Sequence, residues 1–274
     1  MFKTLIISFL AIPTLVCAQQ PQLGKDPIEK VINAMTLDEK LDLLIGSGGN
    51  AKTEASATIG NSSVLVLGAA GQLNAIPRLG IPNTVLADGP AGLRIQPKRD
   101  GTTKTFYCTH FPIETVMSST WNSNLVKAVG AAIGDEVKHY GVDVLLAPAT
   151  NIQRNPLNGR NFEYYSEDPL LAGKITAAMI AGVQSNGVGT SLKHFALNNQ
   201  ETNRTNNNVI GNPRTFREIY LKPFEIAIKE SHPWTVMTSY NKINGTYTSE
   251  RADLLTEILR HEIGEHTSEL QSRL

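Results

Sequence analysis

Cysteine is nearly absent from this chain. It has two, Cys17 and Cys108, and the first falls in an N-terminal segment that reads as a cleaved export leader. Lys3 gives that segment a positive start, residues 5–16 are mostly apolar, and Val16-Cys17-Ala18 sets a peptidase cut before Gln19. Val16 is bulkier than the small residue expected before a lipid-modified cysteine. With residues 1–18 removed, Cys108 stands alone and an intrachain disulfide is excluded. It lies in the loop-like stretch 102–110 without an evident base or orienter beside it, so it reads as a partly buried spectator thiol rather than a nucleophile.

An excess of charge is missing too. Lys and Arg total 25, Asp and Glu total 25, and no block of like charges occurs. Electrostatic capture of nucleic acid or of an anionic membrane is thereby disfavoured, and an uncharged partner is expected. No apolar run reaches the roughly 20 residues of a membrane span, so once the leader is cut no membrane attachment is expected. Gly68-Ala69-Ala70-Gly71 lacks the third glycine and the spacing of a dinucleotide turn. His261 and His266 resemble a zinc-protease pair but are five residues apart, which on a helix turns the rings about 140° from each other. They read as part of a solvated tail, and neither metal nor other cofactor is expected.

What the chain does have is alternation. Its 274 residues, 41% hydrophobic, suffice for one domain with a sizeable core. Asp26-Pro27 opens a short helix, and Thr36 with Glu39 forms a capping box for a second. Val126, Val129, Ile133 and Val137 recur at helical spacing up to Gly141. Asp168-Pro169 opens a helix ending near Gly187, and Thr215 with Glu218 repeats the capping box before a helix stopped by Pro233. Between these lie four apolar runs ending in polar clusters, beginning at Val85, Val144, Val188 and Val236. Strand followed by helix, four times over, predicts an α/β fold: a partial (β/α) barrel of the TIM type, about its first four β/α units. Polar loops at 47–63 and 198–212 are long enough to carry function, the second lying on the ligand face directly after Lys193-His194.

Asp88, Arg94, Arg160, Lys193, His194 and Tyr240 fall at or just beyond the strand ends, where such a fold gathers its active face. Carboxylates, Arg, Lys and His converging on a cleft are the donors and acceptors that hold the hydroxyls of a single pyranose ring.

Five stretches carry a resemblance: Met35-Thr-Leu-Asp-Glu-Lys40, Asp88-Gly-Pro-Ala-Gly-Leu-Arg94, Asn158-Gly-Arg-Asn-Phe-Glu-Tyr-Tyr-Ser-Glu-Asp-Pro169, Lys193-His-Phe195 and Met237-Thr-Ser-Tyr-Asn241. With them the chain resembles the N-terminal barrel domain of glycoside hydrolase family three, the β-glucosidase and β-xylosidase family. The resemblance implies a β-linked glucoside or oligosaccharide as partner, with Asp88 on hydroxyls of the sugar in the cleaved position. It sets Arg94, Arg160, Lys193, His194, Met237 and Tyr240 around the same ring. N-acetylglucosaminidases of the family follow Lys-His-Phe with Pro-Gly-His. Here Ala-Leu-Asn-Asn follows, so the chain resembles the glucosidase branch.

Family members hydrolyse with retention, using a nucleophilic Asp in a Ser/Thr-Asp-Trp motif and an acid/base Glu from a following sandwich domain, the two about 5 Å apart. No Asp-Trp follows Tyr240, and the pattern is lost near Gly264. The expectation is therefore a leader at 1–18, an incomplete barrel domain at 19–264 and a tail outside the family pattern at 265–274, with neither catalytic carboxylate present. Glu201, Glu163 and Asp143 lie in or near the right segments, but none matches the family nucleophile. Two functions stay open: a β-glucosidase-like hydrolase, secreted or periplasmic, inactive in truncated form; and a secreted noncatalytic carbohydrate-binding or partner-completed half, which a complementing C-terminal half would close. Sequons at Asn61, Asn203 and Asn244 read as chance matches in polar loops.

Overall fold

The computed structural model describes residues 20–46, 63 and 65–264; the segment expected to be a leader, most of the loop at 47–63 with Asn61, and the segment 265–274 expected to be a tail lie outside the described residues. Two short helices come first, α1 (Ile28–Ala34) and α2 (Leu37–Ile45). The capping box forms as the sequence predicts: the Glu39 N–H donates to the Thr36 hydroxyl at 3.2 Å, and the Thr36 N–H donates to the Glu39 carboxylate at 2.8 Å. α1 starts later than expected, with Pro27 at the cap, because the Asp26 carboxylate is taken by the Gln22 N–H at 2.9 Å.

The main sheet follows. Its strands are β1 (Gly71–Leu73), β2 (Thr84–Asp88), β3 (Val144–Leu146), β4 (Gly189–Phe195) and, after a two-residue β5 (Asn208–Val209), β6 (Thr235–Thr238). The spatial order is β1-β2-β3-β4-β6, with β2, β3, β4 and β6 parallel. These four strands coincide with the four apolar runs of the sequence, and the curled sheet is the half barrel they predict. β1 is an addition: it pairs antiparallel to β2, Gln72 opposite Val85. A small second sheet joins β5 to β7 (Lys242–Ile243) and β8 (Thr246–Tyr247).

Helices α3 (Glu114–Ser118) and α4 (Ser123–His139) cross from β2 to β3, and α5 (Pro169–Gln184) from β3 to β4. Asp168 caps α5 by accepting the N–H groups of Leu170 and Leu171. Between β4 and β6 run α6 (Pro213–Thr215), a π-turn at Phe216–Tyr220 and α7 (Lys222–Ser231), and a π-helical segment, Asp253–Ile263, follows the second sheet. The second capping box is not formed. Asn212, followed by a proline at the first helical position, accepts the Thr215 N–H at 2.9 Å and starts the helix three residues early. Glu218 turns instead to Arg214.

α4 and α5 touch backbone to backbone. A Cβ on Gly182 would stand 2.2 Å from the Lys127 carbonyl oxygen, and one on Gly134 2.4 Å from that of Val183. The described residues form three apolar clusters, one under β2 and β3 with Ile133, Val137, Ile175 and Met179, another under β4 with Phe195, Phe224, Ile228 and Leu254, and a small one of Val31, Ile76 and Leu79. Every residue of β4 is buried, whereas each of β6 is partly exposed, and among the described residues β6 has no strand on its outer side.

Candidate active site

The site forms where the parallel strands end. β2 delivers Asp88 and β4 delivers Lys193, whose ammonium lies 3.6 Å from an Asp88 carboxylate oxygen and 3.8 Å from one of Glu163. Glu163 closes a short 3-10 turn (Asn161–Glu163) after β3 and pairs with Arg160 three residues earlier. Asp88, Lys193, Glu163 and Arg160 thus form an alternating chain of charge. Lys193 and Glu163 are only 3% and 1% exposed, so each needs the other's charge to offset the cost of leaving water.

Around this chain lies a cleft of about 370 Å³, lined by Asp88, Arg94, Arg160, Phe162, Glu163 and Lys193, with residues 89–93 and 108–110 forming its far wall. That wall depends on Gly92, whose φ of +114° favours glycine and whose missing Cβ would stand 2.3 Å from the Thr109 carbonyl oxygen. Arg94 is exposed at the rim, and its N–H donates to the Asp88 carbonyl at 2.9 Å.

His194 is buried behind Lys193. Its Nδ1 is 3.5 Å from the Tyr164 hydroxyl, which accepts from the Asn198 side chain at 2.9 Å. Burial, together with the positive charges of Arg160, Lys193 and Arg204, holds the imidazole well below the usual histidine range, so it is neutral. Met237 stands opposite Lys193 in the β4–β6 register. Tyr240, 44% exposed, lies outside the cleft lining with the Arg204 guanidinium 4.7 Å from its ring centre. The structure therefore brings Asp88, Arg94, Arg160 and Lys193 to one cleft, sets His194 and Met237 next to it, and leaves Tyr240 beside it.

The spare carboxylates separate. Glu163 belongs to the cleft. Glu201 pairs with Arg204 and lies 3.9 Å from Arg160. Asp143 precedes β3 at the opposite end of the sheet, where its carboxylate accepts the Val85 N–H at 2.7 Å, so it is structural. Cys108 lines the cleft, but burial first and the Glu136 charge second push its thiol up to about 11, which makes it a spectator as the sequence predicts. His261 lies on the π-helical segment rather than in a tail, bonded to Glu257 at 3.2 Å, and among the described residues no cluster suits a metal.

Sequence reasoning missed Glu114, Phe162 and Arg204 as neighbours of the site. Glu114 is fully buried in the first turn of α3, neither carboxylate oxygen has a hydrogen-bond partner, and burial followed by the Glu163 charge pushes it up to about 8. Nothing in the sequence separates it from an ordinary first-turn acid. Arg160 and Glu163, three apart, carry a local pairing signal in the sequence.

Chemically the cleft offers the Asp88 carboxylate as an acceptor, with Glu163 already paired, and the Arg94, Arg160 and Lys193 cations as donors, a set matched to vicinal hydroxyls. The model of the glycosyl hydrolase family 3 N-terminal domain matches residues 70–266. Thermostable beta-glucosidase B of Acetivibrio thermocellus is 43% identical over 86% of this chain and 29% of its own length. An exo-alpha-(1->6)-L-arabinopyranosidase of Bifidobacterium longum is 47% identical over 72% of this chain and 27% of its own. The solved structure of beta-glucosidase 3B from Thermotoga neapolitana in complex with glucose is 51% identical, with a TM-score of 0.79 over 86% of this chain and 32% of that one. The chain thus spans less than a third of the length of each of these relatives. With the family model covering most of it and the strand-end cleft in place, the chain belongs to glycosyl hydrolase family 3.

Proposed function

We propose that this chain supplies the sugar-holding part of a β-glucosidase-like glycoside hydrolase acting on the O-glycosyl bonds of β-glucosides, exported to a secreted or periplasmic location by residues 1–18. Asp88, Arg94, Arg160, Lys193, His194, Met237 and Tyr240 surround one glucose ring, residues 19–264 form the barrel portion, and no cofactor takes part. The observation that carries this reading is the Asp88–Lys193–Glu163–Arg160 chain at the ends of parallel strands, in a family where a relative 51% identical is solved with glucose. Asp88 accepts from two adjacent hydroxyls, with charge-assisted bonds no neutral side chain replaces. The neutral His194 imidazole completes the polar wall.

Retaining hydrolysis also needs two carboxylates about 5 Å apart, one of them free to attack. In this cleft Glu163 is held by Arg160 and Lys193 and Asp88 lies against Lys193, while Glu201, outside the lining, is held by Arg204. The expected outcome is that the purified chain binds glucose at millimolar or weaker affinity, about 4 kcal/mol or less, and does not turn over aryl β-glucosides. Titration followed by NMR checks it: glucose-induced shifts are lost in Asp88→Ala and reduced in His194→Ala. Equal shifts in wild type and Asp88→Ala mean that the site is not assembled. Turnover abolished by Glu201→Ala means that a carboxylate here acts after all.

A second reading, a noncatalytic half completed by another polypeptide, is favoured by one observation, the lack of a strand outside β6 among the described residues. The genomic sequence immediately downstream separates the two: an Asp-Trp motif and a sandwich domain in another frame mark an interrupted hydrolase gene.

A further inference from the structure

The loop at 198–212, singled out by its length and position, holds charged side chains that the sugar reading does not use. Glu201 and Arg204 are both partly enclosed, with side chains 29% and 24% exposed. One oxygen of Glu201, Oε1, accepts from Arg204 Nη1 and also lies 3.9 Å from Arg160 Nη1. The other, Oε2, is buried without a hydrogen-bond partner. The contact with the turn carrying Arg160 is close: a Cβ on Gly159 would stand 3.7 Å from the Glu201 Cβ, ordinary van der Waals distance. On its other side Arg204 lies face-on to the Tyr240 ring at 4.7 Å. The far end of the loop is fixed to the same region as Tyr240, because the Lys242 N–H donates to the Asn207 carbonyl at 2.8 Å and β5 pairs with β7. Arg160 follows β3 and Tyr240 follows β6, so the two come from strands separated in the sheet by β4.

We propose that Glu201 is a positioning residue: its carboxylate ties Arg160 to Arg204, and through Arg204 to the Tyr240 ring, so that the two side chains from non-adjacent strands are presented as one unit. The unit bridges the sheet on the side of the cleft where β6 alone gives weak support. Arg160 is already bonded to Glu163, and the Glu201 carboxylate, bonded to Arg204, adds a second attraction to Arg160 at 3.9 Å. The cation over Tyr240 fixes the ring at a point where nearly half of it meets solvent. The consequence for sugar binding rests on the function proposed above; the coupling itself does not.

The experiment therefore has two readouts. NMR of the full chain follows the Arg160 Nε–Hε and the Tyr240 ring resonances in wild type, Glu201→Gln, Glu201→Asp and Arg204→Ala, while glucose titration runs in parallel. Glu201→Gln keeps size and one acceptor oxygen but removes the charge, so the resonances of Arg160 and Tyr240 are expected to shift together, and Glu201→Asp to restore both in part. Arg204→Ala moves Tyr240 and relaxes Arg160. Glucose binding is expected to weaken about tenfold in Glu201→Gln. Resonances that do not move, or of which only one moves, in Glu201→Gln overturn the coupling. Coupled resonances with unaltered glucose affinity overturn the positioning role, and coupled resonances in a wild type that binds no glucose support the coupling while removing the sugar function.

Discussion

Glu114 gathers more unmet demand than any other side chain near the cleft. It is wholly buried, neither oxygen is bonded, and it shares its surroundings with the Glu163 carboxylate, the Lys193 ammonium and the Tyr165 hydroxyl, itself buried without a partner. Glu163 opposes its ionisation, Lys193 only partly offsets this, and the proton is kept up to about pH 8. In the unfolded chain the same group ionises near 4.5. Between those values the folded protein holds a proton that the unfolded chain has released, so stability is full below about 4.5 and falls as pH rises towards 8. Glu114→Gln, which imitates the neutral acid, is expected to be neutral at pH 4 and stabilising by a few kcal/mol, to order of magnitude, at pH 8. Urea midpoints at both values test this, and parallel curves for variant and wild type would mean that the carboxylate is ionised in the fold. His194 works in the opposite direction, its depressed pKa withdrawing stability as pH falls below the usual histidine range.

Among elements, the α4–α5 pair is the least forgiving. Gly130, Gly134 and Gly182 let the helices approach until backbone meets backbone, and with a Cβ 2.2 Å from the Lys127 carbonyl no side-chain adjustment makes room. Gly182→Ala gains helix propensity yet is expected to destabilise by about 1–3 kcal/mol. Denaturant midpoints equal to wild type would show that the two helices do not meet as described. The same elements mark what the sequence tells and what it withholds. The Asp168-Pro169 start of α5 was legible because a cap acceptor and a preset φ act within three residues, and the four parallel strands were legible because each is an apolar run ending in polar residues. β1 was not, since Gly-Gln-Leu has no alternation and its pairing with β2 is decided by tertiary context. The helix start at Asn212 was written in the chain but lost to a better-known pattern three residues on. Strand-end placement revealed Asp88 and Lys193, whereas the burial of Glu114 and the stacking of Arg204 on Tyr240 are products of packing that no local pattern encodes.

For the molecule as a whole, support is uneven across the sheet. β4 is enclosed on both faces, while β6 contributes no fully buried residue and, among the described residues, meets a strand on one side only. Opening should begin there, and β6 amides are expected to exchange with solvent roughly tenfold or more faster than those of β4, with heat unfolding spread over a broad range rather than a single sharp step. A monomer that unfolds in one sharp transition, with both strands equally protected, would contradict this. The opposite margin behaves differently. β1 is three residues long and antiparallel to its neighbour, and Gly46 comes so near that a Cβ on it would stand 3.1 Å from the Gln72 carbonyl oxygen. Among the described residues the β1 margin of the main sheet is short and the β6 margin has no neighbouring strand, so backbone pairing between copies across β6 is self-complementary. Such a face is spent once two molecules have met across a two-fold axis, so association through β6 stops at pairs.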